Sequence, residues 1–135
     1  MSRAARILAL DVGDRRIGVA QGDMAIRIAV PYDVIERDGS EVATISKLVI
    51  DDRIDCLVIG YPRNQSGEPT QQTASVEAFA EQLKDVDTKI VYQDESLTSV
   101  IAEQHLQKSG KPYAPGDIDM LAASIILEDY MESAT

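Results

Sequence analysis

The stretch from Ile7 to Ala20 does most to restrict what this chain can become. Ile7-Leu8-Ala9-Leu10 is an apolar run that ends in a carboxylate, Asp11. It turns through Gly13-Asp14-Arg15-Arg16 and resumes as a second apolar run, Ile17-Gly18-Val19-Ala20. Nearly continuous apolar runs of this length suit strands covered on both faces, and a glycine-bearing turn between them makes a hairpin. An ionised carboxylate at the end of such a strand is costly unless something compensates it. Asp11 therefore either caps the turn by accepting backbone N–H groups or holds a cation.

The rest of the chain supplies a sheet and its covering helices. The first strand spans 6–12 and the second 16–21. Residues 25–36, with Ile28, Val30, Tyr32 and Val34 in alternation, are expected to form a half-buried third strand of a meander. Pro31 suits an edge, because it cannot donate to a ladder. A helix is expected over 40–52, capped by Ser40, with Val42, Ile45 and Val49 on one face. A buried strand over 55–60 ends at Gly60 and leads into the polar loop from Tyr61 to Pro69, where open α/β sheets place ligands. A helix over 70–85 carries the stripe Val76, Phe79, Ala80 and Leu83. A short strand over 89–93 runs into Asp94 and Glu95, and a helix follows to Ser109, stopped by Gly110. After a loop, the last helix spans 117–132 and is apolar on most sides, so it is expected to pack on the sheet. The sum is one α/β domain over 1–135. Its five-stranded mixed sheet has an antiparallel meander of strands 1, 2 and 3, with strands 1, 4 and 5 parallel and helices on both faces.

That topology sends three acids toward one edge. Asp11 ends the first strand, Glu95 follows the fifth, and Asp119 lies in the first turn of the last helix. Ala122 and Ala123 are small enough to let Asp119 approach the sheet. Each acid also has an ordinary reading: a turn carboxylate at Asp11, a solvated acid at Glu95, a complement to the helix dipole at Asp119. Brought together, three carboxylates repel and would raise at least one pKa unless a cation joins them. Hard divalent ions, Mg²⁺ or Mn²⁺, suit such a site, and two of them about 4 Å apart support phosphodiester cleavage.

Several motifs carry a resemblance. Leu10-Asp11-Val12-Gly13-x-x-Arg16-Ile17-Gly18-Val19-Ala20 comes first, followed by the Val58-x-Gly60-x-Pro62-x-Asn64-x-x-Gly67 loop. Asp94-Glu95-x-Leu97-Thr98-Ser99 and Ile118-Asp119-x-x-Ala122-Ala123 complete the set. Together they resemble the YqgF/RuvX family across essentially the whole chain. The resemblance implies a ribonuclease H-like fold and a Holliday-junction-resolvase-like nuclease acting on the 5′ end of pre-16S ribosomal RNA in the bacterial cytoplasm. It implies Asp11, Glu95 and Asp119 as the catalytic and metal-binding triad. The candidate contacts to structured RNA or branched DNA are Arg15 and Arg16 on the hairpin, Arg63 and Asn64 on the loop, and Thr98 and Ser99. Two departures stand out. Ser96 occupies a place the family usually gives to arginine, and the loop carries Tyr61, Arg63 and Ser66 where leucine, leucine and aspartate are usual. Arg63 is expected to replace the missing positive charge.

Composition sharpens the alternatives. The net charge is −10, which repels nucleic acid at long range and demands a local basic patch or a cation at the contact. Lys108 and Lys111 are further candidates for such a patch. A non-catalytic nucleic-acid or ribosome-associated module is the rival function. A phosphotransferase is the third, because Asp11-x-Gly13-x-x-x-x-Gly18 also looks like a phosphate loop, but 135 residues leave no room for a second lobe. His105 is the single histidine and Cys56 the single cysteine. Neither is expected to do chemistry, and Cys56 reads as a small buried hydrophobe. No run approaches about 18 apolar residues, so a soluble cytoplasmic protein, monomeric or weakly dimeric, is expected with no membrane partner.

Overall fold

The computed structural model describes residues 4–62, 71–95 and 98–133. Its elements are β1 (Arg6–Val12), β2 (Arg16–Asp23), β3 (Val30–Glu36), α1 (Glu41–Asp51), β4 (Cys56–Pro62), α2 (Gln71–Gln82), β5 (Lys89–Glu95), α3 (Thr98–Ser109) and α4 (Pro115–Ser133). The sheet order is β3-β2-β1-β4-β5. β1 pairs antiparallel with β2, β2 antiparallel with β3, and β1, β4 and β5 run parallel. The mixed five-stranded sheet expected from the sequence is the one observed.

Side chains alternate across the sheet because successive Cβ atoms point to opposite faces. Leu8, Leu10, Val12, Ile17, Val19, Leu57 and Ile59 point to one face, where Ile45 and Val49 of α1, and Val76 and Phe79 of α2, cover them. Ile7, Ala9, Ala20, Cys56 and Val58 point to the other, under Ala123, Ile126, Leu127 and Met131 of α4. α3 packs on α4. Cys56 is buried, as expected, and burial pushes its thiol pKa up, which keeps it protonated and inert. The expected stripe of α2 is also observed, with Leu83 buried just past the helix end. The Thr73 hydroxyl donates to the Pro62 carbonyl and ties α2 to the end of β4.

Three details differ from the sequence reading, and two glycines differ from each other. β3 begins only at Val30, and Ile28, Val30 and Tyr32 are exposed rather than half-buried, because β3 is an outermost strand with a register shift opposite Val19 and Ala20. Ser40 makes no side-chain cap on α1; its hydroxyl and N–H both go to Asp38, while Glu41 accepts from the Gly39 N–H. α4 starts at Pro115, so Asp119 lies in its second turn. Gly13 is not in the left-handed region. A Cβ there would sit 2.9 Å from the Arg16 carbonyl, to which the Gly13 N–H donates across the hairpin. Gly110, with φ +71°, does end α3 in the left-handed conformation that favours glycine.

Candidate active site

The parallel strands β1, β4 and β5 end at a common edge, and the site is assembled there on the α4 face. Asp11 follows Ile7 and Ala9 on that face by the two-residue period, so it points toward α4 rather than toward α1 and α2. Only 8% of it is exposed. Its neighbours across the sheet are both glycines. Gly18 is its partner on β2, and the β1–β4 register that pairs Leu10 with Ile59 sets Asp11 beside Gly60.

Each glycine makes room for another acid. A Cβ on Gly18 would lie 1.9 Å from the backbone oxygen of Asp119 and 2.9 Å from its Cβ, so α4 rests directly on the β2 backbone at this point. A Cβ on Gly60 would lie 2.8 Å from Oε1 of Glu95 and 2.6 Å from Cδ1 of Ile126. Glu95, paired with Pro62 in the ladder, thus leans back over Gly60 toward Asp11. Asp11 sits between two bare backbone positions, with Glu95 over one and Asp119 over the other.

The electrostatics follow from that crowding. Burial, then the charges of Glu95 and Asp119, push the Asp11 carboxyl up from 3.8 to about 8. Burial also raises Glu95, opposed by a hydrogen bond with Thr98. Asp119 is handled differently: the Arg16 Nε donates to its Oδ2 at 2.7 Å, and this partnership raises the guanidinium pKa. Among the described residues, no three His, Cys, Asp or Glu side chains close around one point as a ready cation cage. The three acids share the edge, but the Asp119 carboxylate is turned to Arg16.

The other candidates separate clearly. Thr98 is buried and hydrogen-bonded with Glu95. Ser99 and Arg15 are exposed, as are Lys108, Lys111 and His105. Arg16 is partly exposed and already committed to Asp119. Arg63, Asn64 and Ser96 lie outside the described residues. Arg37 was not among the candidates, yet it braces the hairpin that carries Asp11. Its N–H donates to the Arg15 carbonyl at 3.0 Å and its Nη1 to the Gly13 carbonyl at 3.0 Å. The same guanidinium donates from Nε to Glu41 at 3.2 Å and lies 5.0 Å over the Phe79 ring. Nothing local in the sequence marks it, since Gly13 is 24 positions away.

A mixed five-stranded sheet with acids along the edge where its parallel strands end is a ribonuclease H-like architecture. RuvC of Thermus thermophilus, solved in complex with a Holliday junction substrate, has the same fold. The TM-score is 0.57 at 13% identity, covering 97% of this chain and 97% of that one. A second Thermus thermophilus RuvC structure matches with a TM-score of 0.55 at 10% identity, over 96% and 97% of the two chains. At the level of sequence, residues 5–133 match the family described as RuvX, Holliday junction resolvase. The chain belongs to the RuvX family. Among its relatives, a protein of Chloroflexus aggregans is 42% identical over 132 residues, covering 94% of this chain and 93% of the relative. One of a Roseiflexus species is 36% identical over 137 residues, covering 98% and 97%. Both bear the name "Putative pre-16S rRNA nuclease".

Proposed function

We propose that this protein is a metal-dependent nuclease that processes the 5′ end of pre-16S ribosomal RNA in the cytoplasm, with branched DNA as a second substrate class. The observation that carries the reading is the placement of Asp11 between Gly18 and Gly60, with one further acid held over each glycine. Such a row is poor packing and poor electrostatics unless a cation belongs to it. The RuvX membership and the names of the relatives support the substrate assignment.

The donor set fits Mg²⁺ or Mn²⁺, since it is made of carboxylate oxygens with no imidazole or thiolate. Asp11, Glu95 and Asp119 would hold the ion, which when bound would activate water and neutralise charge on the leaving oxygen of a phosphodiester. The chain's own groups prepare for this. Asp11 would have to be deprotonated to hold a cation, which would tie metal affinity to pH. Thr98 holds Glu95 in place for ligation and for orienting water. The backbone contact at Gly18 fixes the distance between α4 and Asp11. Exposed Arg15 and Ser99, with Arg63 and Asn64 that follow β4 in the sequence, would contact the phosphate backbone, which a chain of net charge −10 needs locally. The chain works as a monomer or weak dimer.

The test is cleavage of a 5′-extended 16S precursor and of a four-way DNA junction, each with Mn²⁺ or with chelator. Wild type should cut the precursor only with the metal, and Asp11→Asn should abolish cutting. Full-rate cleavage by Asp11→Asn would sink the mechanism. A wild type that binds precursor but neither cuts it nor gains thermal stability from millimolar Mn²⁺ would point to a non-catalytic binding module.

A further inference from the structure

Arg16 and Asp119 come from opposite ends of the chain, yet among the described residues their contact is the closest charge pair at the acidic edge, at 2.7 Å. Arg16 is two residues before Gly18 on β2, and so lies on the α4 face with it. The backbone of Asp119 is seated on Gly18, with no space for even a methyl group between them. Ala122 and Ala123, one turn on, are fully buried against the sheet. The Asp119 backbone is therefore fixed, and only its carboxylate can turn. That carboxylate has two directions available: outward to the guanidinium, where it is found, or inward over Gly18 toward Asp11, whose pKa already registers its charge. The neighbours that bear on this choice are few. Glu36 is paired with Arg16 across the β2–β3 ladder and also favours the guanidinium, while Asp11 and Glu95 lie on the inward side.

We infer that Arg16 is the internal counter-cation of the acidic edge: it occupies the Asp119 carboxylate in the metal-free protein, and a divalent cation must displace it to recruit Asp119. This rests on the metal reading above. A planar guanidinium suits the task, since it stays charged at every working pH and gives a directional hydrogen bond to one carboxylate oxygen. It relieves one of three mutually repelling charges while no metal is present, and so lets the edge fold without one. The consequence is a competition. Metal affinity is lower than three free carboxylates would give, and Arg16 is a positioning residue that acts through Asp119.

Calorimetric titration of Mn²⁺ into the full chain tests this. Arg16→Gln keeps an amide donor of similar reach and removes the charge, and it should bind Mn²⁺ roughly fivefold more tightly than wild type, the scale of a partly exposed ion pair. Arg16→Lys keeps the charge and should stay near wild type. In an Asp119→Asn background the Arg16→Gln gain should vanish, because the competition runs through that carboxylate. Equal or weaker binding by Arg16→Gln, with wild type binding normally, overturns the inference and leaves the metal site standing. No Mn²⁺ binding by wild type overturns both. A readout independent of any variant is the Arg16 Nε–H resonance of the wild type under Mg²⁺ titration. It should lose its hydrogen-bonded shift as the ion saturates, and an unmoved resonance at saturation overturns the displacement.

Discussion

The two faces of the central sheet are built from side chains of different size. On the face covered by α1 and α2, strands β1, β2 and β4 present Leu8, Leu10, Val12, Ile17, Val19, Leu57 and Ile59. On the face covered by α4, the same strands present Ile7, Ala9, Gly18, Ala20, Cys56, Val58 and Gly60, with Asp11 among them. The first face is filled by interdigitated branched side chains, which hold the helices a side-chain layer away. The second lets α4 approach the β2 backbone, so that the charge of a helix-borne acid is felt at a strand-borne one. Bulk makes the core on one side, and its absence makes the site on the other.

Damage to the two faces should therefore read out differently. Leu57→Ala opens a cavity in the α1–α2 face and should cost about 2–5 kcal/mol. Cleavage per folded molecule should be retained, which denaturant titration beside an activity assay would establish. A comparable loss of activity in the folded fraction would mean that the faces are not independent. Gly18→Ala adds a single methyl group on the α4 face. It should cost about 1–3 kcal/mol by overpacking, less than the cavity, yet it should remove Mn²⁺ binding, because the added Cβ meets the Asp119 backbone and α4 must shift. Mn²⁺ titration that gives wild-type affinity in Gly18→Ala would show that the close approach is not what builds the site.

The last effect concerns charge and is graded with pH. The Asp11 carboxyl titrates near 8 in the folded chain, against an ordinary value of 3.8. Between those values the native state keeps a proton that the unfolded chain has lost. Without metal, stability should then fall as pH rises through that window, by up to about 1.4 kcal/mol per pH unit. Asp11→Asn cannot lose a proton there, so its stability should be flatter with pH. Urea midpoints in chelator at pH 5, 6 and 7 would test this, and parallel slopes for the two proteins would refute it.

Much of this was legible in one dimension. The strand order and direction follow from apolar runs separated by two short turns and then by helix-length crossovers, as at Ile7–Ala20 and Cys56–Ile59. The edge shared by Asp11 and Glu95 follows from their strands being parallel. Other features were not legible, and each depends on a contact between distant segments. Thr98 reads as a surface contact next to a helix start, and only the fold shows its burial and its hydrogen bond with Glu95. Ile28, Val30 and Tyr32 alternate like a half-buried strand, but nothing in the alternation says that β3 is outermost and uncovered. Arg37 supports the hairpin through carbonyls far from it in sequence, and carbonyls leave no trace in residue type.

What the sequence determined by itself is the topology and which three acids share an edge, because side-chain periodicity and crossover handedness are local rules. What only the tertiary structure decided is how those acids are disposed: Asp11 buried between two glycines, Glu95 leaning over Gly60, and Asp119 turned to Arg16. The physical reason is that a carboxylate's protonation and direction are set by the nearest charges and by the space left to it. At Asp119 the pairing charge and the limiting backbone both belong to β2, more than 100 residues away in the chain, and at Asp11 they come from β2, β4, β5 and α4.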